Sequence, residues 1–268
     1  MKPARRIIIA LVTVSVLTIL GFVFFRSSGG QIRDLEGIEK SGRIRIVTDG
    51  GSMGFSMTKD TVYGFQYEII KRFADNLGLE LQISKQNDLS KAIDELKDGE
   101  YDIVASLMPQ TAGNQDEVTF TNSLMTSRLM LVQRKLPDSV SVKINKQYEL
   151  AHDSIFITAN PAYKARLKNL EQEIGDTIYV VDTEKYTTEQ LIKLVAEGKL
   201  LYTVCPEELA DKFLRMYPQL NISLPLGFSQ NYGWIVNKKS VKLAEKLNSF
   251  LSDFIGSSAY WALYRKYY

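Results

Sequence analysis

Apolar positions along the chain switch between two periods, and the switches mark out the elements. The stretch 43-RIRIVT-48 alternates as a strand does and runs into a Gly-rich loop, 49-DGGSMGFSMTKD-60. In 63-YGFQYEIIKRFADNLGLELQI-83, Ile69, Ile70, Phe73, Ala74 and Leu77 recur at helical spacing, Gly78 supplies a stop, and LELQI opens a strand. The same grammar returns twice. In 89-LSKAIDELKDGEYDIVASLMP-109 a short amphipathic helix stops at Gly99 and feeds a strand. In 187-TTEQLIKLVAEGKLLYTVCP-206 a helix stops at Gly198 and feeds LLYTV, and both units end in Pro. DIVASLM and LLYTV are apolar on both faces, which fits parallel strands covered by helices on either side.

Between the two units lie 129-LMLVQRKLPD-138, the strand 154-SIFIT-158, a helix over 160–175 and the strand 178-IYVV-181. Asn160 as N-cap with Pro161 at the first helical position starts that helix. The chain then passes through 220-LNISLPLGFSQNYGWIVN-237 into two terminal helices, 240–256 and 258–268. The expected fold is α/β with two lobes. Lobe 1 comprises 43–134 and 230–268, lobe 2 comprises 135–229, and crossings near 133–137 and 226–230 form a hinge.

The N-terminus changes this picture. Ile7 to Phe25 is an uncharged run of 19 residues, roughly 28 Å as a helix, preceded by Lys2, Arg5 and Arg6. It ends in Phe24-Phe25-Arg26 with no Ala-x-Ala exit site, so residues 1–28 are read as an uncleaved signal-anchor transmembrane helix rather than a cleaved signal. Basic residues before the span favour an inner-membrane, single-pass protein with its body on the periplasmic side. Residues 29–42, polar with four glycines, are read as a tether.

Composition is ordinary for a globular chain of 268 residues, 45% hydrophobic and 24% charged. Four of its 33 basic residues lie in the first 26 positions, leaving 29 against 31 acidic residues in the body, which argues against a nucleic-acid partner. Cys205, the single cysteine, sits in an apolar run as a core residue would. His152, the single histidine, has no companion for a triad or a zinc site. No phosphate loop, metal motif or nucleophile elbow is present, so no cofactor, metal or catalytic residue is expected.

In open α/β sheets ligands collect beyond the C-terminal ends of strands. That rule marks four loops: Asp49 to Phe55, Met108 to Asn114, Thr158 to Ala162, and Pro206 to Glu208. Candidate contacts on them are Asp49, Ser52, Met53, Phe55, Met108, Thr158, Asn160 and Glu207, with Phe65 and Arg128 beside them. Each has a plain structural alternative. The glycines of 50–54 also suit a sharp turn, Phe65 also suits core packing, and Glu207 with Glu208 also suits a helix dipole.

The segments 64-GFQYEIIKRFADNLGLEL-81, 99-GEYDIVASL-107 and 118-VTFT-121 resemble the bacterial extracellular solute-binding proteins of family 3. A closer resemblance, over about residues 40–268, is to the non-catalytic N-terminal domain of membrane-bound lytic murein transglycosylases. It is carried by GFQYEIIKRFADNLG, LVQRK, LLYTV, YPQLNISLPL, Trp234 and the terminal RKYY. The resemblance implies a periplasmic-binding-protein (Venus flytrap) fold closing around a small polar ligand: a peptidoglycan fragment, peptide or amino-acid derivative. The lysozyme-like catalytic domain that follows in those enzymes is absent from this sequence, so the expectation is a non-catalytic protein. A separate lytic transglycosylase or an ABC permease is the implied partner.

The resemblance also places the loop 109-PQTAGNQDEVTF-120 on the cleft wall, making Gln110, Thr111 and Asn114 candidate contacts. Amino-acid receptors of the family carry a carboxylate-clamping Arg shortly before the V-x-F-[ST] strand. Here that place falls at or near Asn114, and no Arg lies between Pro109 and Ser127. The family's amine-binding Asp aligns near Glu207, and Arg128 is a candidate for a displaced positive charge. The expectation is a site of neutral hydrogen bonds that disfavours free α-amino acids held in the usual way.

Overall fold

The computed structural model describes residues 30–59, 61–111, 113, 116–136 and 142–268. The expected anchor at 1–28 and the candidate Asn114 lie outside the described residues, and no described helix is long and apolar enough to cross a membrane.

The described residues begin with α1 (Leu35–Ser41) and β1 (Arg43–Thr48), then a small hairpin, β2 (Ser56–Met57) and β3 (Val62–Tyr63). Next come α2 (Phe65–Asn76), β4 (Glu80–Lys85), α3 (Leu89–Lys97), β5 (Ile103–Pro109), β6 (Thr119–Phe120) and β7 (Met125–Ser127). A second series follows: β8 (Leu129–Arg134), β9 (Ser154–Thr158), α4 (Pro161–Ile174), β10 (Tyr179–Thr183), α5 (Thr188–Ala196), β11 (Tyr202–Pro206), α6 (Glu207–Met216) and β12 (Leu220–Asn221). β13 (Gln230–Val236), α7 (Val241–Phe254) and α8 (Ser258–Tyr267) complete the chain.

Two sheets result. The first has the order β4-β1-β5-β13-β6 with β7 also on β13, and the second the order β10-β9-β11-β8-β12. In each, the strands fed by helices are parallel, and strands arriving from the other lobe, β13 and β8, pair antiparallel. The helix–Gly–strand units form as their pattern predicts. α3 is capped by Asp88 and buries Leu89, Ala92, Ile93 and Leu96, while α5 is capped by Thr187 and buries Leu191, Ile192, Val195 and Ala196. Gly99 and Gly198 leave those helices at φ +78° and +75°, a region in which a β-carbon is disfavoured. The strands they deliver are buried almost throughout.

The structure departs from the sequence reading in two places. β8 pairs with β11 in the second sheet, so the first passage between sheets falls at Arg128, earlier than 133–137; the second falls at 226–229. Within the expected tether, α1 folds onto the first lobe: Ile38 is fully buried, and Asp34 caps α1 while accepting the backbone N–H groups of Lys242 and Leu243. Asp102, buried beside it, receives Arg33 and Arg45. The terminal helices return to the first lobe, where Tyr260 and Tyr267 pack edge-on against Phe65.

Candidate functional site

The C-terminal ends of β1 and β5 face those of β9 and β11, and between them lies a small cavity. Asp49 and Gly50 follow β1, Ser106 and Leu107 belong to β5, Thr158 ends β9, Asn160 caps α4, and Pro206 ends β11; all line it. Helical and terminal residues close the remaining sides: Gln66 of α2, Tyr163 of α4, Glu189 of α5 and Tyr268. Tyr163 also lines a wider groove, shared with Pro109, Arg128, Arg166, Phe228 and Tyr232, so it stands between the two spaces.

The lobes are tied directly across the cavity mouth. Glu189 accepts the backbone N–H of Ser52 at 2.9 Å and its hydroxyl through the other carboxylate oxygen. Lys212 on α6 donates to Ser52 Oγ at 2.9 Å and lies 3.6 Å from Glu189. Two further bonds bridge the lobes nearby, Leu89 N to the Ala159 carbonyl at 2.9 Å and Asn87 Nδ2 to the Glu184 carbonyl at 3.3 Å. Gly51, at φ +98°, sits so close that an added β-carbon would meet Glu189 Oε2 at 2.7 Å.

Asp49 is the chemically sharpest group on the wall. Its backbone N–H donates to Ser106 Oγ at 3.0 Å, and its carboxylate takes weak support from Thr48 Oγ1 at 3.5 Å. Withdrawal from bulk water pushes its carboxyl above the usual carboxylate range, helped by the nearby Glu189 charge, while hydrogen bonds from Ser106 oppose the shift. An N–H donor or a cation brought in by a ligand would satisfy this carboxylate.

Of the residues singled out from sequence, the structure places Asp49, Met53, Thr158 and Asn160 on the cavity wall. Asn160 spends its side-chain oxygen on the helix it caps, accepting from Ala162 N and Tyr163 N at 3.0 and 3.3 Å. Ser52 stands at the mouth in the bridge to Glu189. Phe65 is buried among the terminal tyrosines, and Phe55 packs edge-on against Tyr67 at 5.5 Å. Met108 is buried in a cluster with Val47, Leu89 and Ile235. Gln110 bonds into the sheet through its backbone N–H to Asn231 and its side chain to Thr121, and Thr111 follows it, half-buried. Arg128 and Glu207 face each other as a bidentate pair, with Nε to Oε2 at 2.8 Å, so each neutralises the other.

Sequence reasoning missed Gln66, Ser106, Tyr163, Glu189 and Tyr268. Gln66 had a legible signal, a polar residue on the same helical stripe as Ile69, Ile70 and Phe73. Glu189 had none, because its role depends on a loop more than a hundred residues away. The wall also differs from the neutral site expected: it carries two carboxylates, Asp49 and Glu189. Cys205 is fully buried and burial pushes its thiol far up, which suits a core residue and not a thiolate nucleophile.

Comparison with known proteins agrees with this architecture. The family model for bacterial extracellular solute-binding proteins, family 3, matches residues 44–268. Membrane-bound lytic murein transglycosylase F of Desulfosudis oleivorans is 25% identical over 267 residues, covering 100% of this chain and 57% of the relative. Its namesake in Aeromonas salmonicida is 28% identical over 244 residues, covering 90% of this chain and 46% of the relative. The chain thus spans about half the length of the curated relatives it matches. Among solved structures, an ancestral arginine-binding protein bound to arginine superposes with a TM-score of 0.71 at 20% identity, covering 85% of this chain and 98% of that one. The solute receptor for L-cysteine of Neisseria gonorrhoeae gives 0.74 at 17% identity, covering 88% and 93%. At such identities these two establish likeness of fold.

Proposed function

The chain belongs to the bacterial extracellular solute-binding proteins, family 3, and on that premise we propose a membrane-anchored, non-catalytic receptor facing the periplasm. It closes its two lobes around a small polar ligand: a peptide, a peptidoglycan fragment or an amino-acid derivative. The observation that carries this reading is the cavity itself, walled by strand ends of both sheets and bridged by Ser52 and Glu189. A ligand that touches both walls stabilises only the arrangement in which both are present, and hinge closure follows from that differential contact. The uncharged run Ile7 to Phe25 supports the anchor, and the murein-directed names of the relatives support a wall-derived ligand.

Isothermal titration of the full chain against amino acids and muropeptides tests the reading. Saturable 1:1 binding to a member of either set is expected, and silence across both sets overturns it. Those same names favour one second reading, in which the body acts with a separate lytic partner in wall remodelling. Loss of a captured lytic enzyme when Asp49 and Glu189 are substituted would support that version. Turnover of purified sacculi by this chain alone would defeat the non-catalytic reading.

A further inference from the structure

Gln66 is a polar side chain where the helix stripe calls for an apolar one, and it is 1% exposed. Its Oε1 accepts the indole N–H of Trp234 at 2.6 Å, itself fully buried. An indole nitrogen only donates, so the amide oxygen must face it and the amide nitrogen must face away. That nitrogen, Nε2, has no hydrogen-bond partner among the described residues, and Gln66 lines the cavity between the lobes. A buried donor without an acceptor costs more than a leucine or methionine of similar size would. The side chain makes physical sense once an acceptor enters the cavity.

The surrounding charges say what kind of acceptor. Asp49 and Glu189, from opposite lobes, place two carboxylates on the lining of the same cavity, which repel an anionic group. Lys212, a cation beside Glu189, is already bonded to Ser52 and placed against that carboxylate. A neutral carbonyl oxygen meets the donor without that repulsion. Asp49, a carboxylate on the same cavity, has oxygen lone pairs for a further donor, and an amide supplies a carbonyl oxygen and, where its nitrogen carries hydrogen, an N–H in one planar group.

We propose that Gln66 Nε2 reads the carbonyl oxygen of an amide while an N–H of the same ligand faces Asp49, so that the cavity selects amide-bearing ligands, peptides above all. Trp234 is the positioning residue: its indole N–H holds the amide of Gln66 with the donor inward. The assignment rests on the solute-binding reading and adds to it a ligand group and the residue that recognises it.

The test uses alanyl-alanine and its thioamide isostere, which keeps the N–H and replaces the carbonyl oxygen by a weakly accepting sulfur. Both are titrated into the full chain in detergent micelles. Wild type is expected to bind the thioamide on the order of tenfold more weakly. Gln66→Leu is expected to bind the two probes alike, and Trp234→Phe to narrow the preference with Gln66 still present. Equal binding of the two probes by wild type overturns the assignment without any variant having to fold. So does a preference that survives Gln66→Leu, or alanyl-alanine failing to bind wild type. In each of these cases binding of other amino acids or muropeptides would leave the solute-binding reading standing, so the two claims fail separately.

Discussion

Replacing Glu189 by alanine removes the main polar tie between the lobes. The carboxylate accepts two hydrogen bonds from Ser52 and faces Lys212, and the Glu189 and Lys212 side chains are 19% and 21% exposed. A hydrogen bond to a charged group contributes roughly 1.5–3 kcal/mol when well buried, and partial exposure argues for the low end. Opening returns Ser52 and Lys212 to water, so their solvation offsets part of the loss. A net destabilisation of the closed arrangement by about 2 kcal/mol remains, about a 30-fold fall in the closed-to-open ratio. Glu189→Gln keeps one acceptor oxygen and loses the charge facing Lys212, for which about 1 kcal/mol, or fivefold, is expected. Where the closed form is the minor one, apparent affinity falls by the same factor, because ligand must then supply the missing closing energy. Small-angle scattering should report a larger radius of gyration for Glu189→Ala, and titration a weaker dissociation constant, with Glu189→Gln between it and wild type. An alanine variant whose scattering and affinity match wild type would refute the view that this bridge biases closure.

Other substitutions separate stability from binding. Asp49→Asn should raise the melting temperature at neutral pH while weakening binding. The folded carboxyl titrates above its unfolded value, so its charge is a penalty above the folded pKa that fades as pH falls to the unfolded one. The variant's advantage in a thermal melt should therefore shrink from about pH 7 to about pH 4. Asp102→Ala leaves Arg33 and Arg45 without their buried partner and should cost about 3 kcal/mol, roughly 10 °C in melting temperature, with ligand affinity retained if the protein is assayed while folded. Asn160→Ala removes the α4 cap and should cost about 1 kcal/mol in denaturant unfolding. Gly51→Ala should weaken binding much as Glu189→Gln does, since its β-carbon would press on the carboxylate that ties the lobes.

The parts of this architecture visible in sequence are those set by local chemistry. The amphipathic stripes, the caps at Asp88, Asn160 and Thr187, and the stops at Gly99 and Gly198 each act within a few residues, and the structure forms them in place. Strand ends then put Asp49, Thr158 and Asn160 on one cavity. What escaped depends on contacts between distant segments. The run 129-LMLVQR-134 suits either sheet, and its antiparallel pairing with β11 decides the matter. Nothing local in the sequence sets Arg128 against Glu207, which the fold brings together as a bidentate pair. The polar segment before β1 looked like a tether because a single buried residue, Ile38, and the cap from Asp34 to α7 leave little periodic trace.

The central claim is that the two lobes close on a small polar ligand between the ends of their strands. Titration of the full chain against amino acids and muropeptides, with scattering recorded on the same samples, tests it most directly. The account predicts 1:1 binding to at least one compound, compaction on binding, and weakening by Asp49→Asn and Glu189→Ala. Absence of binding throughout both sets, or binding that those two substitutions leave untouched, would contradict it.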